Sequence, residues 1–225
     1  MSNTPRHFVA EFVGTFALVF VGSGAIMMAQ HSNSQAAVLA VAMAHGIILA
    51  VMVSATMNVS GGHLNPSITI GMLVTKRITP GMAGVHIVAQ LIGASFAAFA
   101  LKGLVPHDVY TAVAGGTQAI ASNVTLVQAI GLEAVATFFL VFAVFGTAVN
   151  PEAPRVGGMA IGLTIGADIL AIGPLTGGSM NPARSFGPAL AAGVWQGQIA
   201  YWVGPIIGAV IAAIIWDAVL LKKGD

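Results

Sequence analysis

The stretch GGHLNPSITIG at residues 61–71 returns at residues 177–187 as GGSMNPARSFG, so one chain carries Gly-Gly-x-x-Asn-Pro-x-x-x-x-Gly twice. A single Asn-Pro reads as a turn dipeptide. Two glycine-flanked copies, each set in apolar sequence, ask for a shared structural role. In both, Asn65 and Asn181 are followed by Pro66 and Pro182 and then by an apolar run, over 66–75 and 182–192. Asn at an N-cap with Pro at the first helical position is the order that capping and the missing proline N–H favour. A helix of about ten residues is about 15 Å long, half the hydrocarbon thickness of a bilayer at about 30 Å.

The comparison with a bilayer follows from composition. The chain has 225 residues, 57% of them hydrophobic and 7% charged, where a soluble domain carries about 25% charged residues. Its mean hydropathy is +0.92. Apolar stretches long enough to cross a membrane lie at 8–29, 36–57, 82–105, 126–149, 156–175 and 198–221. We therefore expect an all-α, multi-pass integral membrane protein with six transmembrane helices. The first run is too long for a signal-peptide core and no cleavage motif follows it, so it is expected to remain as the first helix. Without cysteine there is no disulfide framework, thiolate metal site or cysteine nucleophile, and thiol-directed mercurials are not expected to act on it. A net charge of +1 with no basic patch argues against nucleic acid as a partner.

Outside the two boxes the halves also match. EFVGTFALVFVGSGA, from Glu11, aligns with EAVATFFLVFAVFGT, from Glu133, with about half the positions identical. LIGASFAA at 91–98 matches IIGAVIAA at 206–213 in the third span of each half. Three spans per half is an odd number, so the second half starts on the opposite side of the membrane and the repeats, about 1–110 and 124–225, are inverted. The two short helices then enter from opposite faces as re-entrant half-helices, and their N-termini meet near the midplane. Two positive dipole ends and two Asn amides converge there. The glycine pairs Gly61-Gly62 and Gly177-Gly178 permit an extended backbone close to a lumen, with carbonyls free to accept. Half-spanning segments of this kind are tolerated where they are buried in protein or line a wet cavity.

Arg6, Lys76 with Arg77, Arg155, and Lys222 with Lys223 all fall on one face if six spans are threaded, and that face is expected to be cytoplasmic, with both termini on it, in a plasma or inner membrane. Lys102 and Arg184 do not belong to this set.

On the twin boxes NPSIT and NPARSFGP, the approach SGGHLNP from Ser60, and the paired Glu11 and Glu133, the chain resembles the aquaporin, or major intrinsic protein, family along nearly its whole length. Ser67 stands where that family usually has alanine. The resemblance implies a single channel domain over 1–225 with the aquaporin fold, each protomer holding its own pore, assembled as a homotetramer in the lipid bilayer, with no cofactor and no metal. Pro66, Ser67, Pro182 and Ala183 complete the two boxes around Asn65 and Asn181. Ser185, Ala189, Tyr201 and Trp202 match the water class rather than the glycerol facilitators, which tend to have Asp and Lys at the first two places. The selectivity ring should be His45, Ile169, Gly178 and Arg184, most similar to the plant tonoplast subgroup, some of whose members pass ammonia as well as water.

Chemically, this ring sets a fixed cation beside an imidazole, with one small and one apolar wall. Arg184 lies three residues after the capping Asn181 and points toward the same lumen, where it raises the barrier to cations. Asp168, adjacent to Ile169, is expected to pair locally, because an unpaired charge in a membrane is costly. Glu11 and Glu133 are expected to accept hydrogen bonds from backbone N–H groups of the re-entrant loops, and His63 to tie down its own loop. His45 and His63 are the histidines expected near the boxes. Water, with ammonia as a second candidate permeant, is the expected cargo. A glycerol facilitator is the nearest alternative, and a proton-coupled transporter using the two glutamates is a more distant one. No set of residues reads as a nucleophile with its base, so an enzyme is not expected. The loop that opens at Pro106 and closes at Asn123 is a candidate fifth contributor to the ring.

Overall fold

The computed structural model describes residues 4–154 and 156–221, and among them all regular structure is helical. Its helices are α1 (Thr4–His31), α2 (Ala37–Ser60), α3 (Pro66–Val74), α4 (Pro80–Leu104), α5 (His107–Ala112), α6 (Leu126–Val144), α7 (Gly157–Thr176), α8 (Pro182–Ala192) and α9 (Ala200–Ile215). Widened π turns extend α6 to Val149 and α9 to Leu220. Six of these elements are long and apolar enough to cross a membrane: α1, α2, α4, α6 with its turn, α7, and α9 with its turn. The largest shift from the expected spans is in α1, which begins at Thr4 and not at residue 8. Pro5 lies in the first turn, where no N–H is needed, and the polar Arg6 and His7 continue the helix beyond the apolar run. Of the cations used for orientation, Arg155, Lys222 and Lys223 lie outside the described residues.

Most lipid-facing positions are as apolar as the core. Val9, Leu39, Val127, Met159, Leu163 and Ile211 are all exposed, as a helix surrounded by hydrocarbon requires. Within the bundle, α1 packs on α4, α2 on α7 and α6 on α9. These contacts are backbone-close. A Cβ on Gly93 of α4 would strike the Phe12 carbonyl of α1, one on Gly162 of α7 the Gly46 carbonyl of α2, and one on Gly208 of α9 the Ala134 carbonyl of α6. Small residues at such crossings are the usual means of tight helix association where hydrocarbon, not water, surrounds the bundle.

The two half-helices occupy the space left between these pairs. α3 packs on α9, with Gly71 against the Ala209 backbone, and α8 packs on α4, with Gly187 against that of Ala94. The connection after α4 holds α5 and a tight turn at Ala114–Gly116, then folds back over the end of α7, where Ala121 N–H donates to the Leu175 carbonyl at 2.9 Å.

Candidate functional site

Asn65 and Asn181 cap α3 and α8 from extended conformations. The Asn65 side-chain oxygen accepts from Ser67 N–H at 2.8 Å, and that of Asn181 from Ala183 and Arg184 N–H at 3.0 and 3.3 Å. These contacts settle which way each amide faces, because only the NH2 group is left to donate. It does so across the molecule: Asn65 Nδ2 donates to the Met180 carbonyl at 2.8 Å, and Asn181 Nδ2 to the Leu64 carbonyl at 2.9 Å. The two helix starts are thus joined by a reciprocal pair of hydrogen bonds, and their positive ends face one another.

Each approach loop is anchored by one buried glutamate. Glu11 Oε1 accepts from Ser60 Oγ and His63 N–H at 2.6 and 3.0 Å, and its Oε2 from Leu64 N–H and Gln90 Nε2 at 2.6 and 2.7 Å. Glu133 Oε1 accepts from Thr176 Oγ1 and Ser179 N–H at 2.7 and 2.9 Å, and its Oε2 from Met180 N–H at 2.7 Å. The glycine pairs are not extended. Gly61 and Gly177 cap α2 and α7 in the left-handed region with φ of 90° and 82°, and Gly62 and Gly178 follow at 60° and 55°. The chain must reverse sharply to bring the next N–H groups onto the glutamate, and consecutive left-handed residues do this where glycine carries no steric penalty. Leu64 and Met180 also have positive φ, 50° and 53°. A strained backbone at two fully buried non-glycine residues is held by what it makes possible: an N–H on the glutamate and a carbonyl on the opposite Asn.

Arg184 is buried, and its Nη1 donates to the Gly178 carbonyl at 2.8 Å, while Nε and Nη2 have no partner among the described residues. Ile169 lies beside Gly178, whose added Cβ would sit 3.3 Å from the isoleucine side chain. His45 Nδ1 contacts the Val41 carbonyl at 2.8 Å, so that nitrogen carries the hydrogen, and in the neutral ring Nε2 is an acceptor. The His45 ring lies against Gly22 of α1, where no side chain would fit. His45 is also within electrostatic range of Arg184. A vestibule of about 260 Å³ lies on this side, lined among others by Gln30, Val41, Thr117, Gln118, Ile169 and Gly177. At the other end a second vestibule of about 340 Å³ is lined among others by His7, Ser60, His63, Met72, Arg77 and Ile161.

Two apposed helix starts, each anchored by its own glutamate and lying between two vestibules, define the candidate site. The family described as MIP: Major intrinsic protein matches residues 1–216. This chain belongs to the major intrinsic protein family. Aquaporin TIP4-4 of Zea mays is 42% identical, over 97% of this chain and 88% of the relative. Aquaporin TIP2-1 of Arabidopsis thaliana is 41% identical, over 98% and 89%. The X-ray structure of the aquaglyceroporin from Plasmodium falciparum superposes with a TM-score of 0.81 at 22% identity, covering 96% of this chain and 97% of that one, which establishes a shared aquaporin fold.

Ser185 and Ala189 lie on α8, and Tyr201 and Trp202 on α9. Tyr201 OH donates to the Thr176 carbonyl at 2.8 Å, Trp202 meets Phe186 edge-on, Ser185 Oγ touches Ser179 Oγ, and Ala189 is fully buried. The loop after Pro106 contributes Thr117 and Gln118 to the first vestibule, with Gln118 against Gly177. Asp168 differs from expectation. It is buried, and Oδ2 has no hydrogen-bond partner among the described residues. Ile165 and Ile172, one turn before and after it on α7, are apolar and offer it no donor. The carbonyls expected to be free before each box are also partly committed, those of Leu64 and Met180 to the Asn amides and that of Gly178 to Arg184.

Several contributors escaped sequence reasoning. Thr176 matches Ser60 in placing a hydroxyl immediately before its glycine pair, and that repetition is a usable signal. Gln90 and His86 are polar residues inside an apolar span, a pattern that points to function in a membrane. Leu64 and Met180 gave none, since nothing in Leu or Met announces a left-handed backbone.

Proposed function

We propose that the chain conducts water passively and in single file while excluding protons and ions. The observation that carries this reading is the reciprocal bonding of Asn65 and Asn181. Each NH2 has two hydrogens, one spent on the opposite carbonyl and one left as a donor at the junction. A water molecule there presents its oxygen to two donors and to two helix N-termini, and the same field opposes a cation or an excess proton. At the ring, Nε2 of His45 is left as an acceptor for passing water, and the buried guanidinium of Arg184 sets a fixed positive charge that opposes cations.

Ammonia belongs to the proposal as a second permeant, supported by the small wall at Gly178 and the apolar one at Ile169. The glycerol alternative is less favoured, given Ser185 and Ala189. We further propose inverted repeats over about 1–110 and 124–225, supported by the matched roles of Glu11 and Glu133 and of the two Asn residues, and a homotetramer in which each protomer holds its own path. We also propose that both termini lie at the cytoplasmic face, a reading supported by Arg77 and His7 lining one vestibule. The matched relatives carry TIP names, which lend no support to the plasma or inner membrane expected at first.

The test is stopped-flow measurement on proteoliposomes of osmotic shrinkage and of ammonia-driven alkalinisation, for wild type and His45→Phe. Both fluxes in wild type, with ammonia alone suppressed by the substitution, are expected. Water flux without ammonia flux removes the second permeant. Shrinkage no faster than in protein-free vesicles removes the proposal, and rapid glycerol entry favours the facilitator.

A further inference from the structure

Three histidines from three separate segments stand in a row on one side of the first Asn box. His7 Nδ1 of α1 lies 3.0 Å from His86 Nε2 of α4, and His86 Nδ1 lies 3.2 Å from His63 Nδ1, in the loop before α3. His7 is half-buried and lines the second vestibule, His86 is fully buried, and His63 returns to the vestibule wall two residues before Asn65. The row therefore starts at the mouth and ends at the wall of the path, next to the box.

A neutral imidazole has one donor and one acceptor nitrogen, so each ring-to-ring contact holds one proton and the row has two possible polarities. Consider the polarity in which His7 Nδ1 and His86 Nδ1 carry hydrogen and His63 carries it on Nε2. A proton taken from the vestibule by His7 Nε2 lets the Nδ1 proton pass to His86 Nε2. The His86 Nδ1 proton then passes to His63 Nδ1. No ring turns, His7 and His86 end neutral, and the added charge resides on His63.

Two neighbouring groups can pair with such a charge. Glu11, which already accepts from the His63 and Leu64 N–H groups, has Oε1 at 3.8 Å from His86 Nδ1. Thr69 Oγ1, 3.1 Å from His63 Nδ1, is an alternative acceptor for the added hydrogen. The titratable and charged groups facing the row are His7 and Glu11 from α1, His63 from the loop, and, across the vestibule, Arg77 paired at 2.8 Å with Asp217. α8 also packs on α4, but its Arg184 is bonded to Gly178 on the filter side. The second half has no counterpart: Ser179 and Ser185 occupy the places of His63 and Thr69 and touch each other.

We propose that His7, His86 and His63 form a proton relay that takes protons from this vestibule and lowers permeability when it places a positive charge on His63. An imidazolium in the wall of a single-file path holds passing water by charge-assisted hydrogen bonds, which slows the file. The proposal rests on the water-conducting reading.

The test is the osmotic permeability of proteoliposomes between about pH 8 and about pH 5, the range in which histidine charges, for wild type, His86→Gln and His7→Gln. Glutamine keeps one donor and one acceptor but takes up no proton. Wild-type flux should fall on acidification, and both variants should keep the flux seen at high pH and lose the fall. A wild type whose flux is level across the range, or either variant retaining the wild-type fall, overturns the relay. If His86→Gln does not insert, His7→Gln at the half-exposed end decides alone. Absence of flux at every pH removes the water-conducting reading and the relay with it, whereas level flux removes only the relay.

Discussion

The substitution Glu133→Gln keeps the size of the side chain and exchanges one acceptor oxygen for an amide donor. Both carboxylate oxygens are in use: Oε1 holds Thr176 Oγ1 and Ser179 N–H, and Oε2 holds Met180 N–H. The best orientation of a glutamine keeps its oxygen on the first pair and sets its NH2 against the Met180 N–H. One bond to a charged group, about 1.5–3 kcal/mol, is lost, and the stranded buried N–H is a second description of the same loss. The expected cost is therefore about 2–3 kcal/mol. Glu133→Ala strands two backbone N–H groups and a hydroxyl and should cost about 3–6 kcal/mol, while Thr176→Val removes two bonds, the one its hydroxyl donates to Glu133 Oε1 and the one it accepts from Gly178 N–H, and should cost about 2–4 kcal/mol. Thermal unfolding in detergent, followed by tryptophan fluorescence at one fixed scan rate, gives the order of apparent midpoints even where unfolding is irreversible. The expected order is wild type first, Thr176→Val and Glu133→Gln close together below it, and Glu133→Ala last, with water flux retained in whatever fraction of Glu133→Gln folds. A Glu133→Gln protein that melts with wild type yet carries no flux would refute the anchor and make the carboxylate a working proton carrier.

Three further outcomes follow from single contacts. Ser67 Oγ is buried without a hydrogen-bond partner, so Ser67→Ala should leave flux unchanged and melt at or slightly above wild type, by up to about 1 kcal/mol; a clear drop would reveal a partner. A Cβ at Gly22 overlaps the His45 ring, so Gly22→Ala should push the imidazole off the Val41 carbonyl, cost about 1–3 kcal/mol by overpacking and reduce water flux; unchanged flux would show that the ring position is not needed. Mercurial treatment should leave wild-type flux intact, since the chain has no cysteine, and inhibition reversed by a thiol reductant would contradict this.

Much of the architecture is legible before any coordinates are considered, for a local reason. Hydrocarbon surrounds the bundle, so lipid-facing and core positions alike are apolar, and each span reads as one unbroken run. The exception is the start of α1, where Arg6 and His7 hide a turn that remains helical. The half-helices read equally well, because capping by Asn65 and Asn181 and the tolerance of Pro66 and Pro182 depend on residues only one to three positions apart. The spacing of Arg184 from Asn181 is of the same kind. Asp168 shows where such reasoning stops: the expectation of a partner came from the general cost of an unpaired charge, but which side chains surround residue 168 is a property of how α7 packs.

What the sequence by itself determined is therefore the six spans to within a few residues, the two half-helices with their Asn caps, and the matching of the two boxes. Only the tertiary structure decided that the glycine pairs turn left-handed, that Leu64 and Met180 follow them into strained conformations, that each Asn amide reaches the other loop, and that His7, His63 and His86 line up. These contacts join residues far apart in the chain. They exist because glycine-mediated crossings of α1 with α4, α2 with α7 and α6 with α9 bring backbones close enough for one glutamate or one amide to span two segments, and no local pattern encodes that distance.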